Sequence, residues 1–150
     1  MWRILKDPRI FAVAVVLAFL MMQGVRVERT NPTARSEISA KQDIKPLLHK
    51  ACYNCHSNET AWPWYSKVSP ASWLIAHDVR SGRQRLNFSE WGNYRAGERS
   101  RKLDDVAQKV LGNDMPPWYY AAVRKDGSLT QSDRCQVWAW ASTESDALLK

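Results

Sequence analysis

Downstream of residue 43, apolar residues recur at intervals of three and four, which is the spacing of one face of an α-helix. This spacing predicts four helices. Asp43 can cap the first, which ends on Cys52. The third spans about Glu98 to Leu111 and stops at Gly112. The predicted apolar stripes are, in chain order, Ile44, Leu47, Leu48 and Ala51; Pro70, Trp73, Leu74 and His77; Leu103, Val106, Ala107, Val110 and Leu111; and Cys135, Trp138 and Ala139.

The second and fourth helices are marked by residue pairs at their ends. Ser69 followed by Pro70 fits an N-cap and the first helical position, and Gly82 supplies a stop about three turns later. Thr130 with Asp133 three residues on forms a capping box that opens the fourth helix. Because no window alternates with period two for long enough to indicate a strand, the predicted fold class is all-α.

The N-terminus has the pattern of an export signal. The basic residues Arg3, Lys6 and Arg9 precede an apolar run, Ile10 to Met22, that contains no polar side chain. As a helix this run spans roughly 20 Å, which is short of the ~30 Å hydrocarbon core of a membrane, although following valines can lengthen it. No A-x-A-like cleavage signal follows, which favours an uncleaved signal anchor or transmembrane helix over residues 1–26, with a cleaved signal peptide as the alternative.

The composition narrows the chemistry. With three Cys, three His and four Met in 150 residues, the chain is too poor in cysteine for a disulfide scaffold, and soft metal ligands are scarce. Eight Trp and five Tyr supply flat apolar surface suited to lining a large planar ligand. Neither G-x-G-x-x-G nor a P-loop is present, so nucleotide binding has no support.

The candidate chemistry is concentrated in the C-x-x-C-H motif of Cys52, Cys55 and His56. This is the attachment motif for c-type haem, in which two thiols bond the vinyl groups and the histidine is the proximal iron ligand. A predicted exported location agrees with it. A disulfide, a thioredoxin-like redox pair and a zinc site that also uses Cys135 are weaker alternatives, because none of their settings is visible in the sequence.

Two residues compete for the distal face of the iron. Met115 is the one methionine outside the start and the apolar run, and it stands before a proline pair that holds the loop extended. His77, on the predicted stripe of the second helix, is the rival, or a hydrogen-bond donor to a haem propionate. His49 precedes the motif on the same helix and so starts on the proximal side. Without a strong distal ligand, the iron could bind a gas or peroxide.

Several other side chains have predicted roles around the haem. Trp62, Trp64, Tyr65 and Trp73 are candidates for its aromatic wall. Cys135 is interpreted as a small buried hydrophobe.

The net charge of +7 is concentrated in one segment. Seven basic residues lie between positions 80 and 102, against two acidic ones. This run indicates a solvated helix face, or a docking patch for an acidic redox partner, and Arg80 and Arg83 could pair with haem propionates. Nucleic acid is disfavoured as a partner because the chain carries an export signal. The seven are Arg80, Arg83, Arg85, Arg95, Arg99, Arg101 and Lys102.

Six short motifs follow one another between residues 44 and 142. They are C-Y-N-C-H-S-N-E-T from Cys52, W-P-W-Y-S from Trp62, S-W-L from Ser72, H-D-V from His77, L-N-F-S-E-W from Leu86 and M-P-P-W-Y from Met115. With this ordered set the sequence resembles the bacterial haem-binding domain family, a group of small, often membrane-anchored mono-haem c-type proteins. The resemblance implies haem attachment at Cys52 and Cys55, His56 as proximal ligand and Met115 as distal ligand. His49 and Cys135 are outside the family pattern.

The sequence therefore predicts a cytochrome c-like helical domain around one covalent haem over residues 44–142, after the anchor (1–26) and a polar tether (27–43), with a tail at 143–150. The expected function is one-electron transfer on the periplasmic side of the bacterial inner membrane, as a carrier more than as an enzyme. Two alternatives remain: a haem enzyme or gas or redox sensor with a labile distal site, and an accessory haem subunit of a larger membrane complex.

Overall fold

The computed structural model describes residues 7–150. Over this range the chain forms α-helices and short 3-10 turns and no strand, apart from one isolated bridge between Ser36 and Glu90. The predicted all-α class is confirmed. The helices are α1 (Pro8–Met22), α2 (Lys45–Ala51), α3 (Tyr53–His56), α4 (Ala71–Arg85), α5 (Ala96–Leu111), α6 (Trp118–Val123) and α7 (Gln131–Leu148).

The chain divides into two compact units. The first contains the residues up to Thr30 together with Trp62–Asp78, and the second contains Asn31–Ala61 and Val79–Lys150. Most of the helical core and the whole C-x-x-C-H motif belong to the second unit. The two units are described in turn.

In the first unit, α1 begins at a capped end. Asp7 accepts a hydrogen bond from the backbone N–H of Arg9 (2.9 Å), and Pro8 occupies the first helical turn, where its missing N–H costs nothing. Beyond the helix, the side-chain amide of Gln23 makes a reciprocal pair of hydrogen bonds with the backbone of Ser69, at 3.2 and 3.0 Å. The guanidinium of Arg29 donates to the carbonyl of Ser66 (2.9 Å). These bonds join the segment after α1 to the segment before α4.

The expected transmembrane helix over residues 1–26 is not found in the part of the chain that the structure describes. There α1 has 15 residues, about 22 Å at 1.5 Å per residue, and no helix between residues 7 and 150 is both long and apolar enough to cross a membrane. Two basic residues of the predicted export signal, Arg3 and Lys6, lie outside the described residues.

The core of the second unit is built mainly by α5 and α7. The predicted stripe of α5 is confirmed except at Leu111, which is 45% exposed: Leu103, Val106, Ala107 and Val110 are buried. Helix α7 begins with the predicted capping box, in which the backbone N–H of Asp133 donates to the hydroxyl of Thr130 (3.1 Å) and the Asp133 carboxylate accepts from the Thr130 backbone N–H (3.0 Å).

The predicted buried faces of α7 and α4 are wrong. On α7, Val137, Trp140 and Ala141 are buried, whereas the predicted residues Cys135, Trp138 and Ala139 are exposed. An almost continuous apolar run occupies positions 137 to 141, so the spacing does not define one face, and packing against α5 decides it. On α4, Ser72 and Ala76 are buried while Leu74 and His77 face solvent.

The first predicted helix is confirmed as α2, with a different cap. Ile44 occupies the N-cap position in place of Asp43, makes no side-chain cap bond and is buried in the core together with Leu48. Apolar burial therefore fixes this helix start, since no side chain satisfies its N–H groups.

Part of the predicted tether belongs to the second unit and packs into its core. The backbone N–H of Ile38 donates to the carbonyl of Phe88 (2.9 Å), and the Ile38 side chain is 7% exposed. Next to it, Glu37 accepts a hydrogen bond from the hydroxyl of Tyr53 (2.9 Å). Residues 36–38 thus connect the chain after the motif, at residues 88–90, to the motif itself.

Candidate functional site

The C-x-x-C-H motif is one turn of helix that follows directly on α2. Cys52 is the C-cap of α2, and the backbone N–H of His56 donates to the Cys52 carbonyl (2.9 Å), which closes the turn α3. Both Cys52 and Cys55 are half-buried, and no disulfide joins them. The motif thus offers two thiols and an imidazole from a single rigid turn.

The pKa of Cys52 bears on the choice between haem attachment and a thioredoxin-like redox pair. Burial, and to a smaller extent the neighbouring Cys55 thiol, raises the pKa of Cys52 to about 12. A thioredoxin-like pair requires a thiol whose pKa is lowered, so that a thiolate forms near neutral pH. The Cys52 environment does the opposite and does not favour that alternative.

The imidazole of His56 is held in one tautomer. Its Nδ1 lies 3.0 Å from the carbonyl oxygen of Gly82 and 3.1 Å from that of Leu86. Because both partners only accept hydrogen bonds, Nδ1 carries the proton and donates, which leaves the lone pair on Nε2. Burial lowers the pKa of His56 and keeps the ring neutral. A neutral imidazole with Nδ1–H bonded to a backbone carbonyl is the usual state of a metal-ligating histidine.

Gly82 allows α4 to approach the motif. A β-carbon at this position would overlap the carbonyl oxygen of Cys55 and lie 2.9 Å from its carbonyl carbon, so no larger residue fits without movement of the backbone. The prediction that Gly82 ends the helix is wrong, because α4 continues to Arg85. The glycine is required for close contact between two backbones, which a sequence alone does not distinguish from a helix stop.

The loop after the motif is held by Arg83. Its guanidinium donates to the carbonyl of Ser57 (2.7 Å), the hydroxyl of Thr60 (2.9 Å) and the side-chain oxygen of Asn31 (3.0 Å). The Thr60 hydroxyl in turn donates to the carbonyl of Asn54, within the motif (2.8 Å). Arg83 therefore has a defined role in positioning this loop, separate from the predicted propionate contact.

Two more cations of the basic segment bond to backbone carbonyls. Arg99 donates to the carbonyls of Trp91 (3.1 Å) and Gly92 (3.0 Å), and Lys102 donates to the carbonyl of Arg85 (2.6 Å). The solvated part of the segment consists of Arg80, Arg85, Arg95 and Arg101, all of which are exposed.

Met115 lies in the second unit, as the motif does. It is half-buried, and both Met115 and Cys52 pack against the same core cluster. The backbone of Met115 is fixed on both sides: its N–H donates to the carbonyl of Lys109 (3.1 Å), and its carbonyl accepts from the guanidinium of Arg134 (2.7 Å). Met115 as distal ligand stays a prediction.

The other predicted haem contacts belong to the first unit. Trp64 is 76% exposed and meets Tyr65 edge to face, with ring centroids 5.7 Å apart. Trp62 and Trp73 are half-buried, and His77 is exposed. Their roles as haem wall, propionate contact or alternative distal ligand stay predictions.

Two remaining candidates lie in the second unit. The imidazole of His49 is exposed and stacks on Tyr53, with ring centroids 3.8 Å apart. Cys135 is exposed and not the buried hydrophobe that was predicted. Between residues 7 and 150, no group of three or more His, Cys, Asp or Glu side chains could hold a metal ion, so the zinc alternative has no ligand set there.

Sequence reasoning missed Arg134, the buried cation that contacts Met115. A signal was present: Arg134 precedes Val137 by three residues and Ala141 by seven, so it shares their face of α7. Because the buried face of α7 was predicted incorrectly, Arg134 was not placed on it.

The chain matches the model of a known protein family. The model of the haem-binding domain family matches residues 12–143, and the chain belongs to this family. The protein is accordingly a haem-binding protein. No curated protein and no solved structure matches the chain significantly.

The residues present fit a haem. The motif offers two thiols from one turn, and the His56 tautomer leaves Nε2 available to iron. In addition, the indole Nε1 of Trp140 is a buried donor without a hydrogen-bond partner among residues 7–150, and haem propionates are strong acceptors. The residues that would hold the group are Cys52, Cys55 and His56, and Met115 stays the predicted further ligand.

Proposed function

We propose that the protein is a c-type cytochrome that transfers single electrons through one haem bound covalently by Cys52 and Cys55. The observation that carries this proposal is the His56 tautomer, since two backbone carbonyls accept from Nδ1–H and leave Nε2 available to iron. The half-buried thiols of the same turn are placed to anchor the ring beside this ligand.

The bound haem supplies a ferric and ferrous iron couple. His56 would bind the iron through Nε2, and its bonds to Gly82 and Leu86 hold the ring in place. Met115 would supply a thioether to the iron, which would raise the reduction potential relative to a second imidazole. The apolar core beside Cys52 and Met115 excludes water from this region. Electron transfer needs no proton-transfer group, so an electron carrier is a simpler proposal than an enzyme.

We also propose that this domain functions on the periplasmic side of the bacterial inner membrane. Covalent haem attachment takes place on that side, and the apolar run of α1 follows basic residues as in an export signal. To anchor the domain in the membrane, this segment would have to include residues after α1, such as Val25 and Val27. The exposed arginines Arg80, Arg85, Arg95 and Arg101 support an acidic protein as redox partner.

Covalent attachment is tested by mass spectrometry of protein produced in cells that attach c-type haem. The wild type is expected to gain the mass of one haem, and Cys52→Ser together with Cys55→Ser to abolish the gain. Cys135→Ser is the matched control and is expected to keep the haem, because Cys135 is exposed and outside the motif. A haem that is lost on denaturation of the wild type would overturn the proposed covalent bond.

The distal ligand is tested by the visible spectrum of the ferric protein. The thioether-to-iron charge-transfer band is expected in the wild type and in His77→Ala, and its loss is expected in Met115→Ala. An unchanged band in Met115→Ala would remove Met115 as the ligand. Binding of carbon monoxide to the reduced wild type without ligand displacement would favour the enzyme or sensor alternative.

A further inference from the structure

The side chain of Arg134 is the one buried cation on the core face of α7 among residues 131–148. It is 9% exposed, and both of its hydrogen bonds come from Nη1: one to the carbonyl of Val110 (2.9 Å) and one to the carbonyl of Met115 (2.7 Å). No carboxylate within residues 7–150 makes an ion pair with it. Its nearest acidic neighbour in sequence, Asp133, pairs with Lys50.

Burial of a guanidinium without a carboxylate partner costs free energy. The hydrogen bonds to the two carbonyls must therefore offset most of this cost. Val110 lies in the last turn of α5, where backbone carbonyls carry partial negative charge, and its carbonyl also accepts from the backbone N–H of Asn113 (3.3 Å). Arg134 therefore joins the end of α5 to the loop that contains Met115.

Met115 is held from both directions. Its N–H is bonded to Lys109 of α5, and its carbonyl is bonded to Arg134 of α7. A methionine side chain is flexible and has three rotatable bonds, so the position of its sulfur depends strongly on how well its backbone is fixed. Without Arg134, the carbonyl side of this residue would lose its protein partner.

We infer that Arg134 is a positioning residue for the thioether of Met115. The inference rests on the proposed function, since it assumes that Met115 binds the iron. The guanidinium reduces the freedom of the loop before the haem binds, and so favours the intramolecular thioether over an external ligand that competes for the same iron position.

Competition with added imidazole tests the inference on the holoprotein. Imidazole must displace the thioether from the ferric iron, so its apparent affinity reports how firmly Met115 is held. A hydrogen bond to a charged group contributes enough that Arg134→Met is expected to tighten imidazole binding on the order of tenfold or more. Arg134→Lys, which keeps the charge but lacks the planar fork, is expected to fall between this variant and the wild type.

The control is Arg101→Met, which removes an exposed arginine of α5 and is expected to bind imidazole as the wild type does. Far-ultraviolet circular dichroism at each imidazole concentration verifies that the helices remain folded. A role limited to stability would shift the unfolding transition and leave the imidazole affinity of the folded protein unchanged, and that result would overturn the inference.

Met115→Ala distinguishes failure of the positioning role of Arg134 from failure of the proposed distal ligand. With no thioether to displace, this variant sets the tightest imidazole binding. If Met115→Ala binds imidazole as the wild type does, Met115 is not the ligand and the distal assignment fails. If Met115→Ala binds tightly but Arg134→Met matches the wild type, only the positioning role fails. Should Arg134→Met not fold, Arg134→Lys decides in the same way.

Discussion

The backbone of Gly82 lies directly against the backbone of Cys55. A β-carbon at residue 82 would stand 2.9 Å from the Cys55 carbonyl carbon and would overlap its oxygen. The carbonyl of the same glycine accepts from Nδ1 of His56 (3.0 Å). One residue of α4 therefore positions both the second thiol and the imidazole of the motif.

Gly82→Ala should separate α4 from the motif. Because the obstruction is backbone and not a flexible side chain, we expect the variant to lose about 1–3 kcal/mol of unfolding free energy, measured by urea denaturation. The matched control is Gly97→Ala in α5, where a β-carbon would meet nothing within 4 Å. It should be stabilising by about 0.5–1 kcal/mol, as alanine is the better helix former. Equal stability of the two variants would contradict this account.

The capping box of α7 gives a pH-dependent prediction. The backbone N–H of Thr130 and, after it, the ammonium of Lys50 hold the pKa of Asp133 below its ordinary value. The resulting stabilisation is complete above the unfolded-state pKa of about 4 and is lost as pH falls through the lower folded-state pKa. Asp133→Asn should therefore lose about 0.5–1 kcal/mol at pH 7 and match the wild type near pH 2.

The matched control is Asp104→Asn, which makes the same change at an exposed position of α5. Thermal unfolding followed by circular dichroism at several pH values is the measurement. A stability difference between Asp133→Asn and the wild type that grows towards low pH would contradict the prediction.

The two kinds of cysteine should differ in reactivity before haem is attached. Cys135 is exposed, whereas burial and the Cys55 thiol raise the pKa of Cys52 to about 12. Since only the thiolate reacts, alkylation of Cys52 by iodoacetamide at pH 8 should be slower than that of Cys135 by on the order of a hundredfold or more. Peptide mass spectrometry after timed quenching measures both rates. Equal rates would mean that Cys52 is not in the environment described.

Buried hydroxyls pair where α5 and α7 pack. The hydroxyls of Ser100 and Ser145 are 2.8 Å apart, and the Ser145 hydroxyl also reaches the Ser100 carbonyl (3.2 Å). Ser145→Ala leaves the buried Ser100 hydroxyl without this partner and should reduce stability by about 1–2 kcal/mol. After Ser100→Ala the Ser145 hydroxyl still reaches the carbonyl of residue 100, so the loss should be smaller. The double variant should lose clearly less than the sum, because both polar groups are then absent. Additive losses would exclude the pair as a coupled unit.

How far the sequence predicted the structure depended on how clearly each segment defines one face. Helix α5 was predicted well because its apolar residues are separated by charged ones, which leaves a single stripe. Helix α7 has tryptophans at 138 and 140 within an apolar run, and only its contact with α5 decides that Trp140 is buried and Trp138 is 43% exposed. Local spacing carries no information on that contact.

The candidate site also has features that the sequence predicts and features that it does not. The C-x-x-C-H spacing is local chemistry and was readable from the sequence. The carbonyl partners of His56 come from residues 82 and 86, and the guanidinium on Met115 comes from residue 134. These contacts join distant parts of the chain, so periodicity and motifs could not predict them.

The pairing of residues 36–38 with residues 88–90 determines where this chain can be shortened. A version that begins at Lys41 lacks Ile38, and so leaves an opening in the core and the Phe88 carbonyl without its N–H partner. It also lacks Asn31, whose amide donates to the Thr60 carbonyl (2.9 Å). A version that begins at Asn31 retains these contacts and the whole of the second unit, and it removes only the N-terminal part of the first unit.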